Sequence, residues 1–387
     1  MPGDAGMPDL ETPDVETLDV EPSDVEPSDV EPSDVAPIVG HHSRVPVVVA
    51  APDKFRGTAS ARAVAAAVAR AAEATGWSCD RAPVADGGEG LLDALGGAPR
   101  TARVSGPLGE VVEAEWRLLD GRPPVAVIEM ARAAGLDLVG GPEWNDPLRA
   151  STAGVGQLVL AAVGAGARRV IVGAGGSATT DGGQGCLEAL EPRARLAGVE
   201  LVVACDVTTR FVDAARTFAP QKGATPNQVE LLTRRLERLA QVYFDDYGVD
   251  VRDLPGSGAA GGLAGGLAAI GAALVPGFDL VADAIDLPAR VEAADLVVTG
   301  EGFLDDQSFQ GKAVGGVCEV AAAAGVPVVV VAGEVLEGLA VPAGVEVVSL
   351  VERDGPDEAR ADAAGCVERA VAEVLAARGG PQAVLRP

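Results

Sequence analysis

The sequence predicts an α/β fold built on mostly parallel sheets, and two observations carry that expectation. From Arg44 onward, short apolar runs alternate with longer Ala-rich amphipathic segments, the pattern of strand–helix–strand units. Most of the runs are unbroken Val, Ile and Leu. Strands read that way when both faces of their sheet are covered.

In chain order, the first strand is read at 45–50 and the first helix at 60–75. Residues 98–124 then break the pattern with short polar/apolar alternations and turns at Gly106-Pro107 and Asp120-Gly121. Antiparallel strands inserted between α/β units are expected there. Further strands are read at 125–129, 169–173, 200–205, 295–299, 327–332 and 346–351. The helices between and after them fall at 151–165, 185–190, 226–247, 261–274, 313–324 and 356–377. The 226–247 segment is charged on one side and suits a solvent-facing cover. Residues 255–278 hold 24 uncharged residues in a row, eight of them Gly and two Pro. That is too weakly hydrophobic for a lipid-facing span, so a buried, tightly packed helix is expected.

Composition narrows the chemistry. At roughly 100–200 residues per domain, 387 residues predict two or three domains. Lys and Arg number 30 against 57 Asp and Glu, a formal charge of −27. Such a surface repels nucleic-acid backbones and anionic membranes, so neither is expected as a partner. The only histidines are His41 and His42, which argues against a Ser-His-Asp triad or an HExxH zinc site. The five cysteines are scattered, with no CxxC, which reads as buried thiols in a reducing compartment. The acidic N-terminus has no basic n-region or apolar h-region, so a cytoplasmic protein is expected. Residues 1–40 contain 12 acids, no Lys or Arg, and three VEPSD repeats. They are expected to be a disordered tail.

Ligands of parallel α/β sheets sit beyond the C-terminal ends of the strands. After the first strand comes A-P-D-K-F-R-G (51–57), where Asp53, Lys54 and Arg56 suit a phosphorylated ligand; an ordinary charged loop would look similar. Residues 83–90 set Asp86 and Glu89 among three glycines, which permit close approach of backbone to ligand. Residues 173–185, G-A-G-G-S-A-T-T-D-G-G-Q-G, are the strongest local signal. Such a loop can turn successive N–H groups toward a phosphate, and Asp181 is its lone charge. Asp206 follows another strand, Lys222 stands beside a glycine, and Glu301 follows the strand at 295–299 with Asp305 close behind. GSGAAG (256–261) formally matches a dinucleotide fingerprint but lacks its strand, and no P-loop motif is present. Glycine loops, scattered carboxylates and three lysines without histidine fit phosphoryl transfer best, which depends on positioning and charge neutralisation.

The same stretches resemble the type 1 glycerate kinases. The matching segments are APDKFRGTASA (51–61), PVADGGEG (83–90), IEMARAAGL (128–136), NDPLRASTAGVGQL (145–158), GAGGSATTDGGQG (173–185), ACDV (204–207), FAPQKGATP (218–226), PGSGAAGGLAGGL (255–267) and VVTGEGFLDDQSFQGK (297–312). The resemblance implies ATP- and Mg²⁺-dependent phosphorylation of D-glycerate, with 2-phosphoglycerate as the usual product. It implies a flavodoxin-like parallel-sheet domain from both chain ends (41–95 plus 285–387), an inserted mixed-sheet α/β domain (96–284), and an active site in the cleft between them. A homodimer is allowed for.

Carried onto this sequence, the resemblance makes Asp181, Lys222 and Lys54 the catalytic candidates, with Asp181 as base or hydroxyl-orienting group. Asp53, Arg56, Asp86, Glu89, Gly175, Gly176, Ser177 and Thr179 are expected to bind substrate or phosphate. Glu301 and Asp305 are expected to engage Mg²⁺. Two departures stand out: the connection at 191–198 is short, and TTRFVDAAR (208–216) replaces the asparagine, proline and Gly-rich stretch common in the family. The second leaves open a different small hydroxy acid as substrate. A metabolite-binding relative without turnover is the alternative from another class.

Overall fold

A computed structural model of the chain describes residues 44–310 and 312–379. The tail expected at 1–40 lies outside the described residues. Eleven strands are found among the described ones: β1 (Val47–Ala50), β2 (Ser78–Arg81), β3 (Ala98–Ser105), β4 (Val111–Leu119), β5 (Val125–Glu129), β6 (Arg169–Gly173), β7 (Glu200–Ala204), β8 (Ala273–Val275), β9 (Leu296–Leu304), β10 (Val328–Val335) and β11 (Val345–Ser349).

They form two sheets. The first has the order β11-β10-β9-β1-β2 with every pair parallel. Numbered along the chain within that sheet, this is 2-1-3-4-5, the flavodoxin-like order, with its switch point between β1 and β9. The second has the order β3-β4-β5-β6-β7-β8. Its β3–β4 and β4–β5 pairs are antiparallel and the rest parallel, so the expected mixed sheet is present.

Three cores explain the unbroken apolar strands. One core joins Val48, Val298 and Val329 of the first sheet to helices Ala61–Thr75 and Ala363–Arg378. A second joins Ile128, Val170 and Val203 of the second sheet to the helices on its far side. The third lies between the sheets. Val49, Val297 and Val330 come from one, Val127, Ile171 and Val202 from the other, with Phe278, Leu287 and Val317 of intervening helices. Both faces of the central parallel strands are therefore covered, while β3 at the edge of the second sheet stays largely exposed.

Helix Pro226–Tyr247 has the bounds its sequence predicts because both ends are signalled. Thr225 and Gln228 form a reciprocal capping box, Pro226 occupies the first turn, and Gly248 closes the helix at φ 73°. Its buried face is Leu232, Leu236, Leu239, Ala240 and Tyr243.

Four expectations need correction. The helix expected at 261–274 is a short helix, Leu263–Ala269, followed by β8. Ala260, Gly261 and Gly262 all have positive φ and delay the helix, and Gly271 at φ +98° stops it. β2 was missed because SCDR has no apolar run; it is a sheet edge held through backbone pairing with β1. β9 runs past residue 299 to Leu304, because β10 pairs with it as far as Val335. The helix expected at 356–377 breaks at Asp362, whose side chain caps the next one by accepting from Gly365 N at 3.0 Å.

The divergent 208–216 segment anchors the second sheet's outer core. Phe211 is fully buried, edge-on to Tyr243 with ring centroids 6.0 Å apart. Three glycines clasp the ring: a Cβ on Gly265, Gly262 or Gly182 would lie 2.3, 2.9 or 3.0 Å from it. Glycine backbone cannot move in to fill the space the ring occupies. Phe211→Ala is therefore expected to destabilise the chain by about 3–5 kcal/mol, read as a lower urea midpoint. A midpoint within error of the parent would remove Phe211 from this role.

Candidate active site

The C-terminal ends of parallel strands from both sheets open onto one cleft. Its first part, about 440 Å³, is lined by Asp53, Lys54 and Arg56 after β1, by Asp86 and Glu89 after β2, by Gly175 and Gly176 after β6, and by Glu301 in β9. An adjoining part of about 610 Å³ shares Arg56, Glu89, Gly175 and Gly176 and adds Ser177, Gln221 and Lys222. The first part sits at the switch point of the first sheet, where this fold class places ligands.

Negative charge is concentrated there. Lys54 Nζ lies 3.6 Å from Asp53 and 3.7 Å from Asp86. Burial disfavours the Lys54 ammonium, but Asp86 and Asp53 outweigh it and raise its pKa. Burial pushes the Asp53 carboxyl up to about 7 against the pull of Lys54, with Asp86 and Glu301 adding to the rise. Burial also raises the Glu301 carboxyl. Asp206 behaves similarly: burial, then the Asp86 charge, pushes it up to about 7. Its Oδ1 accepts from Gly277 N at 2.8 Å, while its Oδ2 is buried without a partner.

Lys222 is the second buried cation. Its Nζ donates to Ser177 Oγ and to the Thr179 carbonyl, both at 2.7 Å. Burial pushes the amine down to about 7, opposed by the charge of Asp181. Asn145, which the sequence reading did not single out, fixes this corner. Its amide donates to the Ala178 carbonyl at 3.0 Å and the Lys222 carbonyl at 2.8 Å. Arg56 is exposed and makes no ion pair with the described protein, so its charge faces the cleft free.

The structure thus brings Asp53, Lys54, Arg56, Asp86, Glu89, Gly175, Gly176, Ser177, Lys222 and Glu301 onto one cleft. Three expected residues stand apart. Asp181 is buried beneath the loop, where its carboxylate accepts from Thr152 N and Oγ1 at 2.8 Å, Gly183 N at 3.1 Å and Gly185 N at 3.2 Å. With its oxygens so occupied, it holds the glycine loop in shape and has no access to a substrate hydroxyl. Thr179 lies below the cleft floor and contributes its carbonyl. Asp305 Oδ1 accepts from Gln307 N, Ser308 N and Ser308 Oγ; it caps its own turn and does not line the cleft. Asp206 also stands at a strand end, and the sequence alone does not show its burial.

Among the described residues no group of three or more His, Cys, Asp or Glu is arranged to hold a metal. Mg²⁺ needs less, because it is usually held by one or two carboxylates together with nucleotide phosphates and water. Glu301 fits that role: it lines the cleft and its Oε1 is buried without a protein partner. No helix among the described residues is long and apolar enough to cross a membrane.

An α/β architecture with a cleft between two sheets, lined by carboxylates, lysines, an arginine and glycine backbone, fits a phosphotransferase. The chain belongs to the glycerate kinase family, whose model matches residues 48–195 and 191–378. It is 39% identical over 329 residues to a glycerate kinase of Halalkalibacterium halodurans, covering 75% of this chain and 86% of that protein. It is 38% identical over 332 residues to glycerate 2-kinase of Escherichia coli K12, covering 76% and 87%. The crystal structure assigned to glycerate kinase 2 of Salmonella typhimurium LT2 superposes with a TM-score of 0.73 at 34% identity, covering 87% of this chain and all of that one.

The raised Asp206 carboxyl makes stability pH-dependent. Between its ordinary value of 3.8 and about 7, the folded chain holds a proton at Asp206 that the unfolded chain has lost. Its contribution to stability therefore falls as pH rises through that window. Asp206→Asn, which keeps an acceptor for Gly277 N, should lose less melting temperature between pH 5 and pH 8 than the parent. Equal losses in the two proteins would show that Asp206 is ionised throughout.

Proposed function

We propose that the chain transfers the γ-phosphoryl group of ATP to the 2-hydroxyl of D-glycerate, as a type 1 member of its family. The observation that carries the reading is the joining of an Asp- and Lys-lined phosphate site to a Gly175–Gly176–Ser177–Lys222 pocket in one continuous cleft. The named relatives support the acceptor, and the Escherichia coli relative supports the 2-position. The first sheet with its helices (41–95 plus 285–387) is proposed as one domain and 96–284 as the other.

Asp53 is the base that the geometry favours over Asp181. It stands in the cleft beside Lys54, and a carboxyl near 7 can take a hydroxyl proton at neutral pH. Lys54 and Arg56 would offset the charge of the transferring phosphoryl group. Lys222, donating to Ser177, and the Gly175–Gly176 backbone would hold the acceptor end. Mg²⁺, held by Glu301 and Asp86 with the nucleotide, would supply charge neutralisation. The acidic surface argues against polyanionic partners.

The direct test is ADP release with Mg²⁺-ATP and D-glycerate, with the product read by ³¹P NMR. Turnover to the 2-phosphate is expected; folded protein without turnover would overturn the reading. Asp53→Asn should lower kcat by roughly 10²–10⁴-fold. In the parent, kcat/KM should fall as pH drops through about 7. Near-parental turnover by Asp53→Asn would return the role of base to another carboxylate.

A further inference from the structure

The outer end of the cleft carries groups that the transfer chemistry does not use. Phe303, at the end of β9, is 47% exposed and lines the cleft. Its backbone is held firmly: the next residue, Leu304, is fully buried, and the pairs Glu334↔Phe303 and Val335↔Leu304 continue the ladder with β10. The ring is thus fixed outward on a rigid strand. Gly302 and Gly333, the residues before Phe303 and Glu334, also line the cleft and carry no side chain.

The register sets Glu334 beside Phe303, and both line the cleft. Arg360 lines the same end from the C-terminal helices. Glu334 and Arg360 are exposed and make no hydrogen bond or ion pair with the described protein. An aromatic face, a free carboxylate at its edge and a free cation make a combination suited to a flat heterocycle bearing an amino group and attached to an anion. The face stacks on the ring, the carboxylate accepts from the amino group, and the cation meets the negative charge.

We propose that Phe303 is the stacking shelf for the purine base of the phosphoryl donor, with Glu334 accepting from the exocyclic amino group. The inference rests on the kinase reading and deepens it. The base lies at the outer end of the cleft, and the triphosphate runs inward past Arg360 and Lys312 toward Arg56 and Asp53. Specificity for the donor is then set by the β9–β10 edge, separately from the Lys222 end.

The test compares the full chain with Phe303→Ala, Phe303→Trp and Glu334→Gln. Direct calorimetric titration with Mg²⁺-ATP, Mg²⁺-GTP and inorganic tripolyphosphate reads donor binding without any acceptor. Phe303→Ala should weaken ATP binding roughly 10–100-fold, the range set by stacking on one aromatic ring. It should leave tripolyphosphate binding within about twofold, so discrimination between the two collapses. Phe303→Trp should retain ATP binding, which separates loss of the shelf from loss of the fold. Glu334→Gln should change the ratio of ATP to GTP affinity. ATP binding by Phe303→Ala within twofold of the parent, or a parallel loss of tripolyphosphate binding, would overturn the shelf. A parent that binds ATP but does not phosphorylate D-glycerate would overturn the acceptor and leave the shelf to be judged on these titrations.

Discussion

Backbone meets backbone where the two sheets face each other, and the cleft depends on that contact. A Cβ on Gly277 would lie 2.4 Å from Gly87 Cα and from the Asp86 carbonyl oxygen. One on Gly173 would lie 2.6 Å from the Gly87 carbonyl oxygen, and one on Gly175 would lie 2.7 Å from Gly88 Cα. The glycines of 83–90, which follow β2 of the first sheet, therefore seat directly on the strand ends of the second. Glu129 ties the same loop down by accepting from Gly90 N at 2.8 Å and Leu92 N at 3.1 Å. Any side chain in this seam would hold the sheets apart and separate the groups that must act together. The density of glycine thus reflects close approach between elements as much as contact with a ligand.

This seam is also what makes the electrostatics unusual. Bringing the strand ends together buries Asp53, Asp206 and Glu301 near Asp86, with Lys54 as the nearest cation. Carboxylates in that setting resist ionisation. Asp53 and Asp206 are pushed up to about 7, where a carboxyl can exchange a proton with a hydroxyl. On the other side of the cleft the opposite sign is treated the same way. Lys222 is buried with two neutral acceptors and no carboxylate in contact, so its amine is shifted down. The two halves of the cleft thus hold opposite kinds of shifted group, raised carboxyls on one side and a lowered amine on the other.

How much of this was legible in the sequence follows from how each element is encoded. Strands that carry a Val/Ile/Leu run were readable, and so was helix Pro226–Tyr247, because its caps are written in side chains. β2 and β8 were not, since an edge strand of SCDR and a three-residue strand after a glycine stop have no periodicity of their own. Among site residues, those that follow β1 and β6 fell in the cleft: Asp53, Lys54, Arg56, Gly175, Gly176 and Ser177. Asp181 and Asp305 share the same local chemistry of an acid among glycines or hydroxyls. Which acids face a ligand and which bind their own loop is decided by tertiary hydrogen bonds that no local pattern records.

Asp181 shows why a residue can matter to the site without facing it. Its four hydrogen bonds fix the loop that continues back to Thr179 and Ser177, and those two residues hold Lys222 Nζ. The loop is supported from below by the GSGAAG stretch and the glycines that follow it. A Cβ on Gly261 would lie 2.0 Å from the Thr179 carbonyl oxygen, and one on Gly266 would lie 2.6 Å from the Gly182 carbonyl oxygen. That stretch resembles a dinucleotide fingerprint in its spacing, yet its glycines serve backbone packing. Phe211, from the divergent segment, presses on the neighbouring Gly262, Gly265 and Gly182, and Val207 beside that segment reaches the cleft. The divergence at 208–216 is therefore absorbed by the core beneath the loop, while Lys222, Ser177 and the glycine backbone above it line the cleft.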